Sequence, residues 1–400
     1  MTTSQERLDT HTRDRLRALV PTRLKPFLRR SKKRARILRY RDWRVRFVDP
    51  ERNPEAIRRR LLRLSGAAEN GIGWALGELQ RDSITAAEDL LSACYKGPWA
   101  LALAGRVTEA RSLLEKITSN MAPDGSLPAM PVNPRHYIYR ESFIAIGAQA
   151  AGERDLFDAL SGFVASAQDP RTGGFWTQPP GSSERWMDSA STAIGGLLQL
   201  RRGDRESAAH AAEALAKILH SQPTPEEVFF TTMRADGDLI ADPSLPMHRA
   251  IHVALPDRPW FFLSLASLFL IELYKQSGAK EHLELAIAHI EYLRSRKPKD
   301  RFFVDDAGKT ATATAELYRL TRNKSYAHIS LSTSAFIAAR QFPNGRWSYT
   351  PQGYHGNLVT DTDLTFEYAL WLTWVTGTFG MDEERHAGPS SPSGPPRNAT

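Results

Sequence analysis

Apolar and polar positions along the middle of the chain fall into two alternating kinds of segment. WALALAG (99–105), FIAIGAQAAG (143–152), GLLQLRRG (196–203) and LFLIELYKQSG (268–278) are apolar or small at most positions. Each is followed by a segment with Leu, Ala and Ile at helical spacing and charges opposite, as in RESAAHAAEALAKIL (205–219) and KEHLELAIAHIEYL (280–293). A fifth copy runs through AELYRLTRNKSYAHISLSTSAFIAARQ from Ala315. This pattern predicts helix pairs in which the first helix is buried all round and the second faces water on one side. Gly105, Gly152, Gly203, Gly278 and Asn323 sit where the first helix of each pair is expected to stop. Strand patterns are scarce, so the body is predicted to be mostly α. Two concentric layers and a straight superhelix both satisfy the periodicity.

The links between pairs repeat more closely. Gln168 precedes Asp188 by 20 residues, and Gln341 precedes Asp361 by the same 20. Each Gln leads through a Gly turn to Trp176 or Trp347, and each Asp is followed four residues later by Thr192 or Thr365 and an apolar helix. A third copy keeps the turn at Asp124–Gly125 and puts Glu141 at the acidic position; a fourth keeps Asp306 and Thr310 behind a shortened loop. An Asp just before an apolar helix is a good N-cap, and its recurrence assigns Asp188 and Asp361 that architectural role first. Asp363 differs, because its counterpart in the aligned copy is Ala190. A residue present in one copy only is not required by the repeat.

Composition narrows the setting. With 41% apolar residues the chain can bury a substantial core. No apolar run reaches the roughly 20 residues needed to cross a bilayer, and the N-terminus lacks the apolar core of a secretory signal, so a cytoplasmic protein is expected. One cysteine, Cys94, excludes an intramolecular disulfide and a thiolate-cluster zinc site. Residues 1–63 hold 21 Lys/Arg against 7 Asp/Glu, a net +14, so the remainder of this +8 chain carries about −6. That basic arm, interspersed with Leu, Ile, Trp43 and Phe47, can lie on anionic lipid as a peripheral anchor, bind a polyanion, cover an acidic face of the body, or remain a solvated arm. No nucleic-acid module accompanies it, and no nucleic-acid partner is expected. The stretch from His386 is rich in Pro, Gly and Ser and reads as a disordered tail.

The repeated Gln, Asp/Asn–Gly turn, Trp, Asp, Thr and apolar helix resemble the helix-pair repeat of the terpenoid cyclase and protein prenyltransferase α/α-toroid superfamily, over roughly residues 90–380. The resemblance implies an all-α, single (α/α)5–6 toroid at 64–382, with the basic helical arm at 1–63 before it and the tail at 383–400 after it. It places a pocket at the end where the inner helices begin. DTDLT (361–365) resembles the Asp-x-Asp-Asp-Thr motif of class II terpene cyclases, whose middle Asp protonates an alkene or epoxide. Carried over, Asp363 is the acid and Asp361 the leading carboxylate. Two departures stand against this: Leu364 replaces the last Asp, and those cyclases place their site between two toroids where this chain has length for one. The zinc ligands of the prenyltransferases are not matched either, and no Asp-rich diphosphate motif is present, so neither metal nor cofactor is expected.

Candidate chemistry follows from these positions. Burial and a like-charged neighbour both raise a carboxyl pKa, which is how Asp363 beside Asp361 would stay protonated; a helix N-terminus works the other way. His355, in the preceding loop, is a candidate proton partner. Trp99, Tyr139, Trp176, Trp186, Trp260, Trp347, Tyr349 and Tyr354 fall in or beside the pocket loops, as cation-stabilising walls or as packing. Glu141, Asp188 and Asp257 supply polar contacts. PMHRAIHVALPDRPWFF (246–262) interrupts the repeat with His248, Arg249, His252, Asp257 and Arg258, as a lid, a clamp or a plain surface loop. The leading expectation is acid-initiated cyclisation or isomerisation of a hydrophobic, isoprenoid-like or polyene substrate. The alternatives are a carbohydrate-active α/α barrel (lyase, hydrolase or epimerase), with Asp188 and Asp361 or Asp188 and Glu141 as acid and base, and a non-catalytic toroid that binds a lipid or a partner. Fold alone does not choose among them.

Overall fold

Residues 53–127, 137–245, 249–254, 259–296, 304–349 and 357–386 are described by a computed structural model, with the backbone alone at 296, 304–306 and 381–386. Thirteen helices lie among them. They are α1 (Pro54–Gln80), α2 (Ala87–Cys94), α3 (Gly97–Leu103), α4 (Val107–Thr118), α5 (Tyr139–Ala151), α6 (Arg154–Ser166), α7 (Ser189–Arg202), α8 (Arg205–His220), α9 (Phe261–Ser277), α10 (Lys280–Arg296), α11 (Val304–Thr321), α12 (Lys324–Ala339) and α13 (Leu358–His386). Helices α3, α5, α7, α9, α11 and α13 each pack on the next, and α13 returns to α3, closing a ring. Outside it lie α4, α6, α8, α10, α12 and, from the start of the chain, α1, which packs on α13 and α12. The chain is an α/α toroid of six helix pairs, and its last pair joins the C-terminal inner helix to the N-terminal outer one.

The asymmetry within pairs has the origin that the pattern predicts. Along α7 every residue from Ser189 to Leu200 is buried, whereas α8 buries Ala208, Ala211, Ala212, Ala214, Leu215 and Ile218 and exposes the opposite side. Small residues let the inner helices approach closely. A Cβ at Gly196 would stand 2.6 Å from the Phe269 ring of α9, and one at Gly308 of α11 would stand 2.3 Å from Trp371 of α13. Gly152, Gly203 and Gly278 end α5, α7 and α9 in the left-handed conformation. In the fifth copy the left-handed residue is Arg322 instead, and Asn323 caps the next helix, accepting from Ser325 N at 3.0 Å.

The linking repeat is an architectural clamp. Gln168 Nε2 donates to the carbonyls of Gly173 and of Ser207 on α8, both at 2.9 Å. Gln341 Nε2 donates in the same way to Gly345 and to Ala67 on α1, both at 2.7 Å. Thr192 Oγ1 accepts from Phe175 N at 3.1 Å, and Thr365 Oγ1 from Trp347 N at 3.0 Å. Phe175, not Trp176, is therefore the structural counterpart of Trp347. The clamp also identifies α1 as the outer helix of the α13 pair, since the 341–345 turn grips it as the 168–173 turn grips α8.

Two boundaries differ from expectation. The turns of α1 at 54–63, assigned by charge to the arm, bury Ile57 and Leu61 within the helical body, while Arg58, Arg59 and Arg63 stay exposed. Helix α13 runs on to His386, past 382. The rest of the arm, residues 1–52, and the end of the tail, 387–400, lie outside the described residues. Among the described residues no helix is long and apolar enough to cross a membrane. The insertion after α8 forms short antiparallel pairs: β1 (Met187–Asp188) with β3 (Thr232–Met233), and β2 (Val228–Phe230) with β4 (Ala250–His252). These fasten the insertion to the segment that leads into α7.

Candidate active site

Asp361 and Asp363 do not form a pair. Two residues apart on a helix lie about 200° around its axis, so the two carboxylates face different ways. Helix α13 starts before either: Asn357 Oδ1 caps it, accepting from Val359 N at 2.9 Å and Thr360 N at 3.3 Å. Asp361 is thus not the helix cap its position predicts. It sits in the first turn, facing the 341–348 link, where Arg346 Nη1 donates to its Oδ2 at 3.1 Å. Burial raises its carboxyl, against a hydrogen bond from Ser348 and the charge of Arg346. Asp188 does cap its helix, accepting from Ser191 N at 2.6 Å.

Asp363 belongs to a second stripe of α13, with Glu367 and Trp371 one and two turns on, directed into the ring. Lys96, at the start of α3, donates to Asp363 Oδ1 at 2.8 Å and to Glu367 Oε2 at 2.5 Å. Lys309 of α11 donates to Glu367 Oε1, and Trp371 Nε1 reaches the same oxygen at 3.2 Å. Two ammonium groups thus face two carboxylates, with both lysines 3% and Glu367 6% exposed; Asp363, at 20%, is the member that opens outward. Burial opposes charge throughout this group. The two lysines overcome it at Glu367, which is held down to about 2. At Lys96 burial is outweighed by Asp363 and Glu367, so the ammonium is held above its ordinary range. Burial prevails at Asp363, raised despite Lys96, and at Lys309, lowered despite Glu367. The Lys96 ammonium lies 4.5 Å from the centre of the Tyr95 ring, and Tyr95 also hydrogen-bonds Asp363.

The start of α5 carries the most exceptional acid. Glu141 is 4% and Arg140 5% exposed, yet Glu141 Oε2, Arg140 Nε and Arg140 Nη1 have no hydrogen-bond partner among the described residues. Burial pushes the Glu141 carboxyl up to about 8, with Arg140 opposing. On the neighbouring inner helix, burial brings Asp188 to about 6 against the hydrogen bonds from Ser191 and Ala190. More unmet polar atoms come from the same end of the ring. Thr232 Oγ1 lies on the residue paired with Asp188 across β1 and β3, Trp260 Nε1 stands at the start of α9, and Gln178 Nε2 is on the loop before α7.

The aromatic residues divide by role. Trp99 lies edge-on to Trp371 and Trp374, at 5.9 and 5.5 Å between centres, and fills the middle of the ring. Trp347 is 1% exposed, donates to the Ile337 carbonyl and packs on Gly71 of α1, away from the ring interior. Trp260 is fully buried. Tyr139 sits among the inner groups, 6.2 Å from Tyr95, while Tyr349 is 40% exposed. Trp176 and Trp186 lie on the rim, each under an arginine: Arg185 is 4.2 Å above the first ring and Arg249 3.2 Å above the second. His252 is in strand β4. His355, Asp257, His248, Arg258 and Tyr354 lie outside the described residues, as does the side chain of Asp306. Among the described residues no three His, Cys, Asp or Glu are placed to hold a metal ion.

The sequence reading missed Lys96, Lys309, Glu367, Tyr95 and Arg140. Glu367 was legible in principle, one helical turn after Asp363. Arg140 stands next to an acid already singled out. The two lysines carry no local signal.

No family model and no curated protein matches the sequence. Solved structures do. An unsaturated glucuronyl hydrolase specific for heparin is similar over 80% of this chain and 98% of its own, at 10% identity and TM-score 0.55. A GH76 alpha-mannanase from Bacteroides thetaiotaomicron is similar over 74% and 87%, at 12% identity and TM-score 0.52. A type II terpene cyclase from Scytonema is similar over 80% and 99%, at 13% identity and TM-score 0.47. The likeness is one of fold: this chain is an α/α toroid, as the first two of these structures are.

Proposed function

We propose that the protein is an enzyme acting on a polar, polyhydroxylated substrate of carbohydrate type, by paired acid–base catalysis at the mouth of the toroid. One observation carries this reading: buried polar atoms at the starts of α5, α7 and α9, among them Glu141 Oε2, Arg140 Nε and Nη1, Ser189 Oγ and Trp260 Nε1, have no partner among the described residues. Unmet buried donors and acceptors are costly, and a substrate rich in hydroxyls satisfies them. Glu141, protonated at neutral pH, is the proton donor to a substrate oxygen. Asp188, mostly ionised at the same pH, is the acceptor of a proton from water or from a substrate carbon. Two carboxyls whose surroundings separate their pKa values in this way divide the roles of acid and base. The isoprenoid reading has less support. A carbocation calls for a dry aromatic wall, but Trp99, Trp260 and Trp347 are taken up in packing.

The test is turnover on a panel of oligosaccharides and aryl glycosides beside polyprenyl compounds. The expected result is turnover of a sugar substrate, with a rate that rises through about pH 6 as Asp188 ionises and falls through about pH 8 as Glu141 loses its proton. Glu141→Gln is expected to lower kcat by about 10²- to 10⁴-fold. Turnover of a prenyl compound alone, unaffected by Glu141→Gln and abolished by Asp363→Asn, would return the acid to Asp363 and overturn this reading.

A further inference from the structure

Arg140 poses a problem that the acid–base pair does not solve. Its side chain is almost wholly buried, yet among the described residues Nε and Nη1 have no acceptor. These two nitrogens point to different sides of the planar guanidinium, so at least two acceptor atoms are needed to satisfy them. The charge of Arg140 acts on the adjacent Glu141, but among the described residues Glu141 Oε2 has no hydrogen-bond partner, and burial raises that carboxyl all the same. Asp363 and Glu367, the carboxylates of the neighbouring stripe, are engaged by Lys96 and Lys309. An arginine remains charged at any pH a protein meets, and a buried charge without a counter-charge is unfavourable.

A second arginine approaches from the loop before α7. Arg185 lies over Trp176, and its Nε is also buried without a partner. Asp124, Glu141 and Arg185 all act on the Tyr137 hydroxyl electrostatically.

Resting on the proposed polar substrate, we infer that Arg140, aided by Arg185, forms a subsite for an anionic group on that substrate, a carboxylate or a sulfate or phosphate ester. Such a group supplies several acceptor oxygens and the missing counter-charge together. It would hold the substrate by its charged end, beside the Glu141 proton. Arg140 is then a binding residue for the substrate.

The experiment measures binding to the full chain by calorimetry, with glucuronate, glucose 6-sulfate and glucose 6-phosphate against neutral glucose, and with inorganic sulfate alone. The anionic sugars are expected to bind about tenfold or more tightly than glucose. Arg140→Gln is expected to erase that preference, Arg140→Lys to keep part of it, and Glu141→Gln to leave it in place. Circular dichroism and thermal melts confirm that each variant is folded. Arg140-dependent binding of inorganic sulfate without response to any sugar would keep the subsite and overturn the carbohydrate reading. Equal affinity for charged and neutral sugars, a preference that survives in folded Arg140→Gln, or no anion binding at all would overturn the subsite.

Discussion

Lys96 is the residue on which the interior charges depend. It neutralises Asp363 and shares Glu367 with Lys309, so Lys96→Met leaves one buried negative charge unmatched. Breaking a buried pair from one side costs about 3–5 kcal/mol, and chemical denaturation is expected to read a loss of that size at neutral pH. Adding Asp363→Asn removes the unmatched charge, so the double variant is expected to be more stable than Lys96→Met alone; additive losses would show that the two do not interact. Glu141 and Glu367 impose opposite pH dependences. Glu367, held at about 2, contributes stability that is present above the ordinary Glu range and lost as pH falls toward 2. Glu141, raised to about 8, contributes stability that is present below the ordinary range and lost as pH rises through 8. Glu141→Gln is therefore expected to flatten the alkaline decline and leave the acid side unchanged. Asp363 was legible in the sequence because it departs from the repeat. Lys96 was not, because its partner is 267 residues away and no local pattern announces a contact made across a closed ring.

Among the elements, the links between helix pairs were read best and their helix starts worst. The Gln and Thr of the 168–192 and 341–365 links match because each bonds the backbone of an adjacent segment, with the Gly carbonyl accepting from the Gln. Gly345 shows how tightly: its φ is +95°, and a Cβ there would stand 2.3 Å from the Asn70 carbonyl of α1. Gly345→Ala combines left-handed strain with a backbone clash and is expected to cost about 1–3 kcal/mol, read as a lower Tm. Thr365→Val orphans the buried Trp347 N–H and is expected to cost about 1–3 kcal/mol as well. Neither change is expected to alter the pH profile of activity, since neither touches the mouth. Asp361 was misread for a local reason. Asn357 starts the helix four residues earlier, so the acid that resembles a cap is already inside the first turn.

At the scale of the whole molecule, charge obscured where the toroid begins. The arginines of α1 suggested an arm, although Ile57, Leu61 and Leu64 form the buried stripe of an outer helix. Because α1 completes the α13 pair, a chain beginning at residue 82 is expected to lose cooperative unfolding, since Trp347, Thr365 and the Gln341 clamp would face solvent. Closure of the ring also sets the chemistry. Six inner-helix starts converge on one end, where burial raises the carboxyls of Glu141, to about 8, and Asp188, to about 6. Carbon-13 NMR of the labelled carboxyls measures that separation without any substrate. Glu141 is expected to titrate at about 8 and Asp188 at about 6, with the first signal absent in Glu141→Gln. Titration of both carboxyls near 4, the ordinary range for Asp and Glu, would contradict it.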